Sequence, residues 1–521
     1  MKKFSLVVCM LFMLHLLSSA IVPVETIKLV AEKWLEFQTG QPRTAVNWEA
    51  YPNSENPAYW RVNCNIGFVY VSADNSCIPI LAFCKLGTYS TFTVTEAAQE
   101  LLSDYTLQIE DAKTNMRSNT ETLPMWNAII NQTISIAEEH DIGLVTTIWE
   151  QWGGGESNNT YCPMDNHNLH YEDPQYPEGR YKRSVVGCVA TAVAQICNYY
   201  KRWNYFLQDS DRYTSDNYGF VCEIDSYSST HDFPDFATLN GYLEEVIDKY
   251  TSSTPLTVSD KAALSFACGI LTHTNYSSIS SGAYDSCSGS VYDKNNMYHQ
   301  PVNGPSLSSE AWGSLIKKQL TYNRPIQYAG GSIEGGSHAF IVTGYQTTNF
   351  NTTLNLINWG RHWCHPEYWS LQPINLASPY PNSHTMRIGI SPNASINQTI
   401  LLEGGGTDFS GINLQALGHD GIWQTFTTDN GVFDIKLPPG TYDFTFSDSR
   451  SYYETLELCD VVIEMGVNPI SPNPIILHAR PHIIEVPTNV SNIQEAIDLV
   501  RDGGTVVILD GNYIEIGRAH V

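Results

Sequence analysis

Two hydrophobic periods divide this chain, and the place where the helical one gives out constrains its fold most. Apolar residues recur at helical spacing over 25–35, 94–109 and 188–200. Thr93 stands as an N-cap with Glu96 three positions on. Between the first two helical stretches lie β-rich pieces at 60–63, 67–72 and 78–83. From about 386 to 478 the helical period is gone, and short strands alternate with turns such as Thr428-Asp-Asn-Gly431 and Pro438-Pro-Gly440. The chain therefore reads as an α+β body followed by an all-β sandwich. After 481 the pattern changes again: a short helix at 493–499 precedes a strand at 503–513, the form of an opening solenoid coil.

Length and charge narrow the function. At 521 residues the chain is long enough for three or four domains, and 42% hydrophobic against 16% charged residues supports packed cores. A net charge of -26 argues against nucleic acid or an anionic membrane as partner, since both need a basic footprint. Lys2 and Lys3 precede the apolar run 4–17, and Ser18-Ser19-Ala20 supplies small residues for cleavage, so residues 1–20 read as a secretory signal. No internal run is long enough to span a membrane, and the expected location is secreted or cell-surface. Twelve cysteines, one of them Cys9 in the signal, are too sparse for a disulfide scaffold. Cys64, Cys77 and Cys84 lack a C-x-x-C pair, and His167, His170, His362, Cys364 and His365 are spaced generically. Buried thiols or one or two disulfides are expected, with no metal and no cofactor.

Cys188 carries the chemistry. It follows Gly187 and opens a helix, where unpaired N–H groups and the helix dipole favour thiolate and can receive an oxyanion. A cysteine at the start of an amphipathic helix can also simply pack. His338, at the mouth of the apolar strand 339–342, is the natural base for such a thiol. Asn358 follows twenty residues later; accepting the imidazole N–H it would fix the tautomer, with Trp359 shielding that bond from water. A Cys…His…Asn order at this separation is that of papain-like enzymes.

Val186-Gly-Cys-Val-Ala-Thr-Ala-Val-Ala-Gln195, Gly336-Ser-His-Ala-Phe-Ile-Val-Thr-Gly-Tyr345 and Asn358-Trp-Gly360 together resemble the streptopain family of secreted bacterial cysteine peptidases. Trp149-Glu-Gln151, Ser281-Gly-Ala283 and Arg324-Pro-Ile-Gln-Tyr-Ala-Gly330 add to the likeness, which spans about 22–375. It implies a papain-like catalytic domain at 146–376 behind an inhibitory propeptide at 21–145, whose signature Gly67-Phe-Val-Tyr-Val-Ser-Ala-Asp74 matches. By the resemblance Cys188 is the nucleophile, His338 the general base and acid, and Gln151 the side-chain donor of the oxyanion hole. Asn358 and Trp359 stand at the positions that orient and shield the histidine. The implied partners are protein or peptide substrates and the chain's own propeptide.

Departures gather around the cleft: Ser337 in a usual Gly-Gly-His run, Thr343 for an acidic residue, Arg361-His362-Trp363 after the Asn-Trp-Gly, and the loop 153–160. They bear on substrate preference. Two other readings share some of these features: a catalytically inactive surface-binding protein, and a Cys/His amidase or transglutaminase. Residues 386–478 resemble a carboxypeptidase-regulatory-type sandwich, with Gly440 in a turn and Tyr442 packing, and 481–515 resemble the first coil of a parallel β-helix. Since one coil cannot bury its own face, the native protein is expected to continue. Glu515-Ile-Gly-Arg-Ala-His-Val521 resembles a translated sequencing adapter, so 516–521 are expected to be artefact.

Overall fold

Helix α1 (Val24–Thr39) buries Ile27, Val30, Ala31, Trp34 and Leu35, the i, i+3, i+4, i+7, i+8 set of a helix with one dry face. It stops at Gly40, whose left-handed backbone (φ +65°) turns its N–H onto the Glu36 carbonyl. That dry face covers an antiparallel meander of β1 (Ala45–Tyr51), β2 (Tyr59–Cys64), β3 (Phe68–Ser72) and β4 (Ile80–Cys84). Every residue of β3 and β4 is buried, so both faces of these strands are covered, and they read as continuous apolar runs instead of alternating ones.

The computed structural model describes residues 21–87, 96–144, 149, 158–170, 180–331, 337–360, 367–374, 384–511 and 513. The signal at 1–20, Gln151, the 153–157 part of the variable loop, residues 361–366 and the tail 514–521 lie outside the described residues. The chain forms two units, Met1–Ile390 and Ser391–Val521.

In the first unit the meander does not close on itself. Its last strand, β4, pairs with β10 (Glu367–Trp369), and the sheet runs on through β9 (Thr353–Asn358), β8 (Ser337–Thr348), β7 (Ile326–Gly331), β11 (Thr385–Pro392) and β6 (Met297–Asn303). An eleventh strand, β5 (Ile136–Asp141), pairs with the far half of β8. Helix α2 (Glu96–Thr114) packs on β7 and β8, and α3 (Leu123–Ile130) packs on α1. The polar stretch after α2 is largely exposed but anchored: Asn119 and Thr122 are buried and bonded to Asn75, and Arg117 pairs with Asp111.

Helix α4 (Cys188–Tyr199) lies against β8 and against α6 (Val258–Leu271), which in turn packs on α5 (Phe236–Thr251). All ten residues from Cys188 to Cys197 are buried, so α4 is covered on every side, not only on the side carrying Val189, Ala192, Val193 and Ile196. This unit is a mixed α+β fold.

The second unit is β-rich. One sheet joins β12 (Ala394–Leu402) to β15 (Val432–Leu437), and another orders β14 (Trp423–Thr427), β13 (Ile412–Gly418), β16 (Gly440–Asp448) and β17 (Leu456–Ile463). Burial alternates along β12, β13, β15 and β16, the mark of strands with one face on a core. Tyr442 is fully buried and donates its hydroxyl to the Pro438 carbonyl. Further on, Ile483–Val486 and Thr505–Ile508 pair in parallel with the helix Ile493–Leu499 between them, over a core of Ile484, Val486 and Ala496.

Candidate active site

Cys188 is the first residue of α4, and its side chain is nearly buried at 9% exposure. The residue before it, Gly187, has φ +86° and ψ 158°, a conformation essentially restricted to glycine. A Cβ there would also come within 2.9 Å of the Ser281 carbonyl oxygen. The Ser281-Gly-Ala283 segment is thereby pressed against the start of the helix. No side chain caps the helix at Gly187, which leaves first-turn N–H groups to face the thiol.

Three backbone N–H groups act on Cys188: those of Ala339, Val189 and Cys188 itself. Each pulls the thiol pKa down. Burial is the larger influence and pushes it up, and the nearby Asp285 carboxylate adds to the rise. Burial in this chain thus works against the lowering that the helix start supplies. Asp285 is itself raised by burial, with the Arg387 charge and a hydrogen bond from Gln327 Nε2 acting against the rise.

His338 is the second residue of β8, 5% exposed and paired with Gly330 of β7. Its chain neighbour Ala339 is the one whose N–H faces Cys188, so the start of β8 and the start of α4 meet. Asn358 ends β9 and pairs with Ile341, three residues beyond His338. Its side-chain hydrogen bonds do not go to that histidine. Nδ2 donates to the Leu144 carbonyl at 2.9 Å and to Gln195 Oε1 at 2.8 Å, while Oδ1 accepts the Gly360 N–H at 2.9 Å. The amide looks onto α4, where Gln195 lies two turns below Cys188, and so ties that helix to the sheet.

Trp359 is 6% exposed and packs between Phe340 (ring centroids 4.8 Å) and Trp369 (5.5 Å). Its Nε1 donates to Glu367 Oε2 at 2.9 Å, which the Trp369 indole reaches at 3.0 Å. Gly360 follows at φ +70°, and a Cβ there would meet Thr191 Cγ2 at 2.8 Å, so the Asn-Trp-Gly turn is seated directly on α4. Trp149 is fully buried in the same core as Cys188 and Ala339. Asp285 and Glu367 carry no sequence signal of their own, and Gln195, though it closes the motif that opens at Val186, shows its part only through the contact with Asn358 formed in the fold.

Among the described residues, the side chains grouped closely enough to hold a cation are His419, Asp443 and Asp460 of the second unit, none of which the sequence pattern singles out. His167 lies against Gly219. No helix among the described residues is long and apolar enough to cross a membrane.

The Peptidase C10 family matches residues 152–369, and the Spi protease inhibitor family matches 19–109. Streptopain of Streptococcus pyogenes serotype M28 (strain MGAS6180) is 24% identical over 315 residues, covering 59% of this chain and 72% of that protein. Streptopain of serotype M1 gives the same identity and coverage. Among solved structures, a fragment of Prevotella intermedia prointerpain A is 17% identical, with 66% of this chain and 97% of that one covered at a TM-score of 0.41. Active interpain A from the same organism is 22% identical, covering 48% and 95%, at a TM-score of 0.32. Cys188, His338 and Asn358 all fall inside the first match, and α1 to β4 inside the second. Residues 152–369 therefore form a cysteine-type endopeptidase domain of the Peptidase C10, or streptopain, type, and residues 19–109 ahead of it an inhibitor-type region of the Spi class.

Proposed function

We propose that this chain is an exported, latent endopeptidase in which Cys188 and His338 do the chemistry. One observation carries the reading: the buried start of α4 and the start of β8 converge, so that the Ala339 N–H, next to His338, faces the Cys188 thiol. His338 takes the thiol proton, and the thiolate sulfur bonds to the scissile carbonyl carbon. The Cys188 N–H, and in the family's pattern the Gln151 side chain, receive the developing oxyanion. The tetrahedral species collapses as His338 returns its proton to the leaving amine, which breaks the C–N bond and leaves a thioester. Water, deprotonated by His338, then releases the acid and restores the thiol.

Asn358 acts here as a positioning residue: it holds α4 through Gln195 and the 358–360 turn through Gly360, and Trp359 walls the site from water. Residues 1–20 direct export. The region from about 21 to a junction ahead of Leu144 keeps the enzyme latent, in keeping with the inhibitor-type match.

Cys188→Ala should abolish casein cleavage while leaving the melting temperature within a few degrees, and His338→Ala should match that loss because the pair works as a unit. Asn358→Ala should chiefly lower the melting temperature, since three buried hydrogen bonds go with it. Casein cleavage by the Cys188→Ala protein would remove the assignment.

A further inference from the structure

One turn of α2 faces the catalytic sheet with three polar side chains. Tyr105 donates its hydroxyl to the Ser370 carbonyl at 2.6 Å, and Gln108 Oε1 accepts the Ile374 N–H at 2.9 Å. Asp104 does more: its Oδ2 meets His384 Nε2 at 2.9 Å, and His384 Nδ1 meets the Tyr328 hydroxyl at 2.5 Å. The His384 side chain is 4% exposed and that of Asp104 15%, so this chain of three lies largely out of water. A carboxylate only accepts, so His384 donates from Nε2 to Asp104 Oδ2.

The location matters as much as the burial. Tyr328 pairs with Phe340 across β7 and β8, and their rings stack at 5.1 Å. Gly330, the residue paired with His338, lies against the His384 ring: a Cβ on Gly330 would be 3.5 Å from His384 Nε2. The carboxylate of an inhibitor-region helix is thus anchored over the strand pair that presents His338.

We propose that Asp104–His384–Tyr328 is the latch that holds the inhibitor-type region on the catalytic domain before maturation, which rests on reading that region as an inhibitory propeptide. Lifting α2 away strips the buried Nε2–H of its acceptor and the carboxylate of its donor. A hydrogen bond to a charged group in such a place resists opening by about tenfold or more. Tyr105 and Gln108 hydrogen-bond only to backbone groups, Tyr105 also stacking on the Trp369 ring; of the three, Asp104 is the one whose hydrogen bond recognises a side chain.

The test reads the latch without needing catalysis. In the uncleaved Cys188→Ala chain, hydrogen exchange is followed over residues 96–114 and compared with Asp104→Ala and Asp104→Asn in the same background. Asp104→Ala should speed α2 exchange about tenfold or more. Asp104→Asn, which keeps an acceptor oxygen but loses the charge, should fall between. Exchange over α1 should not move in either variant. In the chain with Cys188 intact, Asp104→Ala should shorten the half-life of the uncleaved form by a similar factor, and the matured enzyme should cleave casein at the wild-type rate because residue 104 has left with the propeptide. Unchanged α2 exchange in both variants would overturn the latch even if maturation proceeds. A wild-type chain that is fully active uncleaved would overturn the propeptide reading even if the latch is real. Should Asp104→Ala fail to fold, the near-isosteric Asp104→Asn decides alone.

Discussion

At Gly187 the backbone does something no side-chain-bearing residue can do cheaply. Its φ of +86° and the Ser281 carbonyl 2.9 Å from where a Cβ would sit are independent obstacles, and they meet one peptide bond from the Cys188 thiol. Gly187→Ala should cost at least about 1–3 kcal/mol from backbone conformation alone. Thermal melting should show the loss, and casein cleavage by whatever remains folded should fall further, because relief of the clash moves the start of α4. The glycine before the cysteine was legible in the sequence as a helix start. The carbonyl pressing on it was not, because it arrives from a segment far along the chain. Asn358 teaches the same lesson differently. Its residue type and its place after His338 marked it out, but which groups an amide meets is settled by packing, and here they are Leu144, Gln195 and Gly360.

Among the elements, α1, α2 and α4 were readable, whereas α3, α5, α6 and the sheet order were not. α1 and α4 announce themselves by apolar spacing, though α4 proves buried all round. β3 and β4 hide the alternation of a one-sided strand because both of their faces are covered. That β4 lies beside β10 could not be foreseen, since strand neighbours distant in sequence leave no local trace. The passage between the two regions is also redrawn. α3 belongs with α1, and Trp126 within it donates to the Cys77 carbonyl, whereas Leu144 is held by Asn358. Between them Asn131, Gln132 and Thr133 are exposed, and β5 is an outlying strand exposed at Ala137, Glu138 and Glu139. Maturation should therefore cut after Ile130 and before Leu144, not in the tied-down 115–124 stretch. Amino-terminal sequencing of the processed enzyme checks this, and a first residue before 131 or after 144 would contradict it.

Across the whole first unit, buried thiols give stability a direction in pH. Cys64, Cys77 and Cys84 are each pushed up to about 12 from an ordinary value near 9, first by burial and then by the charges of Glu32, Asp74 and Glu367 respectively. A folded-state pKa above the unfolded one means the fold holds protons the unfolded chain gives up. That contribution is complete below about 9 and drains away as pH climbs toward about 12. Melting temperatures of the Cys188→Ala chain should fall steadily from pH 9 to pH 11, and a Cys77→Ser variant should flatten part of that slope. All three thiols belong to the meander, whose strand pairing with the catalytic strands, among the described residues, runs through the three residues of β10, with the Ser370 N–H on the Leu81 carbonyl and the Ile78 N–H on the Ile374 carbonyl as further backbone ties. Departure of the inhibitor-type region would turn that interior seam into a rim, with the peptide groups of Glu367, Tyr368 and Trp369 facing solvent. Long bare rims recruit other chains into sheets; short ones do not. On the proposed maturation, a strand as short as β10 would let one polypeptide form a single continuous sheet while latent and come apart, once cut, without leaving its active half adhesive.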